Sequence, residues 1–279
     1  MKKVFLLLIC IIFLCSCSKT ENVTGSKPEV LKATNLYLQT DKDYVKEILK
    51  NNNVGNVDVF LNWVDHFNIA SNQKCGVNTT WTSINDIKYD EIECANKYEK
   101  EYQMSDGDCR ITAFALIEKD LQMSKKIQDE GTYLMFDMDV IDNNKDYKLV
   151  KNKRDDFVTL FNEINISNVG DKELQNVFSN KWKEYGIKIN NEKVSLISLV
   201  IEDPDSKVLF VGHTGVLIHL EDKIMFIEKI AFEQPYQISV IKNKEELISL
   251  FKNRTSYFGD ESAKGPFIYE NDRLLYEYN

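Results

Sequence analysis

The chain has 279 residues, of which 43% are hydrophobic and 28% are charged, and its formal net charge is −9 at pH 7. This composition excludes a chain that is disordered throughout, and the length is typical of one large domain or two small ones. Because phosphate contacts need a basic protein face, the acidic balance also argues against a nucleic acid partner.

The N-terminus has the pattern of an exported lipoprotein. Lys2-Lys3 precedes an apolar run, Val4 to Leu14, that is too short to span a bilayer. The next stretch, Leu14-Cys15-Ser16-Cys17, resembles the bacterial lipobox, in which the last cysteine is lipidated and becomes the mature N-terminus. We predict a signal peptide over residues 1–16 and, over 17–35, a lipidated Cys17 with a flexible polar tether.

A lipid on Cys17, with palmitate among its acyl chains, would determine where the protein is found. Acyl chains bind a bilayer by burying their CH₂ groups, so the membrane becomes a partner through the N-terminal lipid. We expect an extracytoplasmic protein, lipid-anchored to the cell membrane of a bacterium, in which residues 36–279 form a single monomeric domain. An ordinary signal peptide that happens to contain cysteines is the alternative.

Three cysteines remain after Cys17 in the sequence, namely Cys75, Cys94 and Cys109. An exported compartment permits disulfides, and an odd number leaves at least one thiol free. Cys75 and Cys94 lie close together in a polar stretch and could pair, which would leave Cys109 as the free thiol. The alternative is that the exported protein contains no disulfide.

Two amphipathic helices are predicted at the start of the domain. Residues 41–51 and 56–67 carry apolar side chains at helical spacing, and His66 beside the second stripe is interpreted as a surface residue. The segment that follows, 68–104, holds Trp81 and Tyr89 among many polar groups. It could form the wall of a groove, but a loop that covers the core is the interpretation we favour.

The stretch from Ser105 to Leu121 predicts a buried helix with a cysteine at its start. Asp106-Gly107 is a turn signal, Asp108 can cap the helix, and Cys109 takes the first helical position. A helix without a polar face belongs inside a domain. The positive end of a helix favours the nucleophilic thiolate, whereas the flanking aspartates favour the neutral thiol. A catalytic thiol and a structural cysteine therefore both remain open.

The rest of the chain predicts helices and strands but no metal site and no cofactor. Residues 142–146 resemble a calcium-binding loop, but Tyr147 stands where glycine is needed and Lys153 where glutamate is needed, so we interpret a surface turn. Strands are predicted in part of 133–141 and over 193–201, 237–241, 267–269 and 274–276, and helices over 156–164, 171–185 and 244–251.

A hairpin is the second informative feature. Residues 208–220 and 223–232 are rich in β-forming side chains and flank a short acidic turn. If residue 220 faces 223, Glu228 is the diagonal neighbour of His213 on the same face. Glu228 has apolar neighbours there, and a buried carboxylate is costly without a partner, so we predict that the two interact. His219, on the same face near the hairpin end, is interpreted as a surface residue.

Cys109, His213 and Glu228 together make a candidate catalytic set. A thiolate can attack a carbonyl carbon, an imidazole can take the thiol proton and pass it to the leaving group, and a carboxylate can hold the imidazole in the right tautomer. Backbone N–H groups at the helix start, including that of Cys109, could stabilise the oxyanion.

This set resembles that of papain-like cysteine peptidases, the NlpC-type group in particular, which pair an Asp-Cys helix start with a His-x-Gly-hydrophobic strand. The matching stretches are Asp108-Cys109 and His213-Thr-Gly-Val216, with Glu228 in the third position. The Ser-Gly that follows the cysteine in that group is Arg110-Ile111 here, and the interval from histidine to the third residue is longer. The resemblance implies an α+β, papain-like fold with a central buried helix packed on an antiparallel sheet.

The chain is also similar to an uncharacterised family of bacterial lipoproteins, domain of unknown function 4300, through Asp108-Cys-Arg-Ile-Thr-Ala-Phe114 and the stretch 226–237. That family supplies no activity. The first hypothesis is a membrane-anchored cysteine hydrolase that acts on peptide or amide bonds, for example in the cell wall. The second is a catalytically inactive papain-like lipoprotein that binds a ligand or partner. The third makes Cys109 a core residue and pairs Glu228 with Lys229 or Arg110.

Overall fold

The computed structural model describes residues 31–71, 75–90, 92–94, 106–149, 151–254 and 263–278. The predicted signal peptide, Cys17 and most of the predicted tether lie outside these residues. Within the described ranges, no helix is long and apolar enough to cross a membrane.

The described residues form eleven strands, five of which, between residues 188 and 241, follow one another along the chain, together with helices that lie mostly before them. In chain order the strands are β1 (Lys32–Thr34), β2 (Thr82–Ser83), β3 (Leu121–Gln122), β4 (Ile164–Asn165), β5 (Lys188–Ile189), β6 (Val194–Asp203), β7 (Val208–His219), β8 (Ile224–Lys229), β9 (Tyr236–Ile241), β10 (Phe267–Glu270) and β11 (Arg273–Glu277). The longer helices are α1 (Gln39–Asn51), α2 (Val57–Ser71), α3 (Cys109–Ile117), α4 (Met135–Asn143), α5 (Lys151–Phe161), α6 (Leu174–Tyr185) and α7 (Lys244–Lys252).

One antiparallel sheet organises these elements. Nine strands belong to it, in the order β11-β10-β6-β7-β8-β9-β1-β2, and β4 pairs with the start of β7. β3 and β5 form a separate two-stranded ladder. This combination of helices with an antiparallel sheet confirms the predicted α+β class.

Helices cover both faces of the sheet, so the central strands are buried on both sides. On one face Val216 and Ile218 of β7 share the larger core with Phe114 of α3. On the other face Leu217 of the same strand packs in a smaller core with Phe251 of α7. Successive side chains of a strand point to opposite faces, so adjacent residues of β7 contribute to different cores.

Helix α3 is the buried helix that the sequence predicts. Eight of its nine residues are buried. The Asp108 carboxylate caps it by accepting the backbone N–H groups of Arg110 and Ile111 at 2.9 and 3.1 Å. A helix that is apolar on all sides has no solvent face to offer, and its position beside the central strands follows from that.

Two expectations differ from the structure. Residues 135–143, part of a segment expected to contain a strand, form helix α4. Its buried residues Met138 and Ile141, with Leu134 before them, recur at helical spacing, and this packing overrides the local β-forming tendency. In addition, β1 lies within the predicted tether and pairs with both β9 and β2, so the folded part begins earlier than residue 36.

Lys181 of α6 is buried at the C-terminal end of α5. Its ammonium group donates to the carbonyl oxygens of Leu160 at 3.2 Å and Asn162 at 2.7 Å. The last carbonyls of a helix favour a cation. Burial nevertheless lowers the pKa of Lys181 to about 7, against a smaller opposing effect of Glu163.

This lowered pKa predicts a pH-dependent stability. Between about pH 7 and pH 10 the unfolded chain keeps the Lys181 proton that the folded chain releases, so the free energy of unfolding should rise with pH. The contribution is at most about 1.4 kcal/mol per pH unit. Denaturant unfolding of the native protein and of Lys181→Met from pH 7 to 9 measures it, and equal slopes for the two proteins would contradict the assignment.

Candidate active site

The start of helix α3 fills a gap along one edge of strand β7. β4 pairs with Val208 and Leu209 of that strand, and β8 pairs with 216–219. In the part of the chain that the structure describes, residues 210–215 have no strand partner on this edge. Two groups from the helix start contact the gap instead: the Arg110 guanidinium and the Cys109 sulfur.

Both contacts satisfy backbone groups of the open edge. Arg110 donates to the Val211 carbonyl oxygen at 3.2 Å, and the Thr214 N–H donates to Cys109 Sγ. The sulfur therefore receives a hydrogen bond from the residue that directly follows His213. Because edge N–H and C=O groups lie in the plane of a sheet, Cys109 is held at the edge of the sheet rather than above one face.

Arg110 connects the start of helix α3 to two neighbouring elements. Its guanidinium forms an ion pair with Asp137 of α4 at 2.6 Å and approaches Asp108 at 3.5 Å. The side chain thus links the helix start to β7 and to α4. A serine could not span these distances, so Arg110 has a structural role of its own.

The environment of Cys109 favours the neutral thiol. Its side chain is buried, and burial raises the pKa of the thiol well above its usual value. The nearby Asp108 carboxylate raises the pKa further, while Arg110 and the Thr214 N–H lower it by smaller amounts. The burial and the flanking carboxylate therefore outweigh the groups that favour the thiolate, and the resting thiol keeps its proton.

His213 and Glu228 meet as the hairpin register predicts. β7 and β8 pair with Val216 opposite Ile227 and His219 opposite Ile224, and His213 Nε2 lies 2.8 Å from Glu228 Oε2. Both side chains are buried. A glycine is needed at position 215, two residues after His213, because a Cβ there would lie 2.5 Å from the Phe226 ring and 2.6 Å from the Ile227 carbonyl oxygen.

Glu228 has a second partner that the sequence did not suggest. Arg254, just after α7, approaches its two oxygens at 2.6 and 2.9 Å, and Gln237 donates to it at 3.3 Å. Burial alone raises the pKa of Glu228, but Arg254 and the hydrogen bond with His213 outweigh it and hold this pKa at about 2. Glu228 is therefore ionised, and it pairs with neither Lys229 nor Arg110, contrary to the third hypothesis.

The ionised carboxylate fixes the tautomer of His213. A carboxylate only accepts hydrogen bonds, so Nε2 carries the proton in this contact. In the neutral ring, Nδ1 is then the nitrogen that can accept a proton. This assignment follows from the Glu228 contact and from the low pKa of that carboxyl group.

Cys109 and His213 line the same cavity, whose volume is about 700 Å³. Tyr89, Phe232 and Arg254 also line it. The Tyr89 hydroxyl donates to the Gln237 side chain at 2.8 Å, so this part of the segment 68–104 is a groove wall. Trp81 instead packs against the larger core, which agrees with the covering loop that we favoured.

Sequence reasoning missed two partners of Glu228, Arg254 and Gln237. It also missed the contacts that Lys229 and Tyr147 make with Asp106. The one signal for Arg254 was Glu228 itself, since a carboxylate among apolar residues needs a cation or several donors. Nothing local to residue 254 indicates that contact, which spans 26 positions of the chain.

The remaining cysteines and histidines lie apart from the cavity. Cys75 and Cys94 are buried, and the Cys94 thiol donates to the Cys75 carbonyl oxygen at 3.6 Å. Their disulfide stays a prediction. His66 is exposed, as predicted. His219 is partly exposed, and its Nε2 lies 3.1 Å from both Ser195 and Glu270.

Comparison with known proteins gives a family but no characterised relative. No curated protein and no solved structure was found to match the chain. A family model described as a domain of unknown function (DUF4300) matches residues 32–275, from the first strand of the sheet into the last. This match covers most of the chain, and the protein therefore belongs to the DUF4300 family.

Proposed function

We propose that the protein is a membrane-anchored extracytoplasmic lipoprotein that hydrolyses peptide or amide bonds, with Cys109 as nucleophile, His213 as general base and Glu228 as the residue that orients it. One observation carries the proposal. Cys109 and His213 line one cavity of about 700 Å³, and the buried Glu228 carboxylate contacts the His213 ring; this volume suits a small substrate or a peptide segment.

The proposed reaction starts from a neutral thiol. As Sγ of Cys109 attacks the carbonyl carbon of the substrate, its proton passes to Nδ1 of His213. His213 then gives that proton to the leaving amine, and a thioester remains on Cys109. Water attacks the thioester, His213 takes a proton from the water and returns it to the departing sulfur, and the acid product leaves.

The oxyanion would have few donors at the helix start. Asp108 already accepts the N–H groups of Arg110 and Ile111, so these two cannot turn towards a substrate without loss of the cap. The N–H of Cys109 is the donor of this turn that we assign to the oxyanion. Removal of a single donor of this kind typically costs about 10²- to 10³-fold in kcat.

The papain-like resemblance supports the same proposal. The cysteine begins a buried helix, the histidine lies on a neighbouring strand, and a carboxylate on the next strand contacts the histidine. We therefore propose a papain-like arrangement of these elements. A lipid anchor outside the cytoplasm would give such an enzyme access to amide bonds of the cell wall, which we propose as the substrate.

Substitution of the nucleophile tests the proposal. Cys109→Ser keeps an oxygen that can accept the Thr214 N–H, so the fold should persist while hydrolysis of peptidoglycan fragments falls by at least about a thousandfold. Product release is followed by mass spectrometry, and thermal unfolding verifies the fold. A folded serine variant with unchanged hydrolysis would refute Cys109 as the nucleophile.

A pair of histidines on β7 provides a matched comparison. His213→Gln removes the proposed base and should lower kcat by roughly 10²- to 10⁴-fold. His219→Gln changes the other histidine of the same strand, outside the cavity, and should leave hydrolysis unchanged. Equal losses of kcat in the two variants would mean that the substitutions disturb the structure of β7, and they would contradict the role of His213 as the base.

A second candidate is a lipoprotein that binds a ligand or partner in the cavity without catalysis. The raised pKa of Cys109 favours it. Site-resolved alkylation with iodoacetamide distinguishes the two, because both start from a neutral thiol but only the hydrolase needs His213 to accept its proton: in a binder, His213→Gln should leave the alkylation rate of Cys109 unchanged. A slower rate in that variant, measured by mass spectrometry of the Cys109 peptide, would favour the hydrolase.

The proposed anchor has its own test. Cys17→Ser should move the protein from the membrane fraction to the soluble fraction and abolish incorporation of a palmitate analogue, because the acyl chains supply the membrane affinity. The described domain should unfold at an unchanged temperature. Membrane retention of Cys17→Ser without label would refute lipidation at this residue.

A further inference from the structure

We propose that Lys229 is a positioning residue for Cys109. Lys229 binds the turn that leads into helix α3, and it lies next to Glu228 at the end of β8. Lys229 Nζ lies 3.0 Å from Asp106 Oδ2, across 123 positions of the chain. Asp106 stands three residues before Cys109. The inference rests on the proposed function, in which Cys109 is the nucleophile.

The Lys229 side chain is completely buried. An ammonium group in that position is costly unless it is paired. Its partners are the Asp106 carboxylate and two ring faces, those of Phe67 at 3.8 Å and Tyr236 at 4.5 Å from the nitrogen to the ring centroid. Ring faces favour a cation, so the pocket fits a lysine that is held in one place.

The other oxygen of Asp106 organises the turn itself. Oδ1 accepts the Gly107 N–H at 3.0 Å and a hydrogen bond from the Tyr147 hydroxyl. A Cβ at Gly107 would lie 2.7 Å from the Tyr147 ring, so that ring packs directly on the glycine. Trp63 packs on the other side of the tyrosine, with 4.6 Å between ring centroids. Asp106 is therefore held on one side by the turn and on the other by β8.

The two last side chains of β8 point to opposite faces of the sheet, and each contacts a different part of the proposed site. Adjacent residues of a strand point to opposite faces. Glu228 extends towards His213 and Arg254, and Lys229 extends towards Asp106. The His213 ring and the turn before Cys109 are therefore each held by one of two consecutive residues of β8. A small movement of β8 carries both groups together, which preserves the geometry between them to the fraction of an ångström that catalysis needs.

Lys181 supplies a control with the same chemistry elsewhere in the fold. It is also a deeply buried lysine, but it donates to two carbonyl oxygens near the end of α5, whereas Lys229 contacts Asp106 in the turn before α3. Lys229→Met and Lys181→Met both remove a buried ammonium and keep an unbranched apolar chain. A general effect of losing a buried lysine should therefore appear in both variants.

The expected result separates positioning from stability. In Lys229→Met, at a temperature where both variants are folded, alkylation of Cys109 by iodoacetamide should change by roughly tenfold to a hundredfold. Hydrogen exchange of the amides of 106–109 should accelerate, and kcat should fall with little change of KM. Lys181→Met should match the native protein in all three measurements.

A double variant keeps the test informative if Lys229→Met is unstable. Lys229→Met removes the ammonium group that contacts Asp106 Oδ2, and adding Asp106→Asn removes the carboxylate charge that this ammonium balances, so unfolding should return towards the native temperature while the Cys109 alkylation rate stays altered. Native alkylation and exchange in folded Lys229→Met would overturn the inference. Unchanged hydrolysis in Cys109→Ser would overturn the proposed function alone, because alkylation and exchange report on Cys109 directly.

Discussion

The gap along the edge of β7 is the constraint on which the rest of the site depends. Backbone groups of a strand without a neighbour must find other partners when they are buried. Here the Arg110 guanidinium donates to the Val211 carbonyl oxygen, and the Cys109 sulfur accepts a hydrogen bond from the Thr214 N–H. The helix start thereby occupies the open edge of the sheet. The thiol accepts its hydrogen bond from Thr214, the residue directly after His213, and the two side chains line the same cavity.

Charge is distributed unequally around Cys109 and His213. Arg254 balances Glu228, so this buried carboxylate stays ionised and holds the His213 ring. Asp108 lies beside Cys109 and raises the pKa of its thiol. The imidazole is thus held by an ionised partner, whereas the thiol keeps its proton. A neutral thiol is also slower to oxidise than a thiolate.

Sequence reasoning succeeded where the determining interactions are local. The cap of α3 depends on Asp108 and the two residues after Cys109, and the His213–Glu228 contact depends on a tight hairpin whose register its turn fixes. It failed at α4, where packing against distant elements decides between helix and strand. It also missed Arg254 and the Asp106–Lys229 pair, because each joins segments whose proximity is set only by the order of strands in the sheet.

The two ion pairs at the end of β8 are difficult to explain by stability alone. Replacing a buried ion pair by apolar residues of similar volume is often neutral or stabilising, and a lysine among aromatic rings could be an apolar residue without loss of packing. Yet consecutive residues, Glu228 and Lys229, each carry a fully buried charge, one directed to His213 and the other to the turn before Cys109. The proposed requirement to hold these two groups at a fixed separation would account for both charges, whereas a requirement for a stable core would favour apolar residues at both positions.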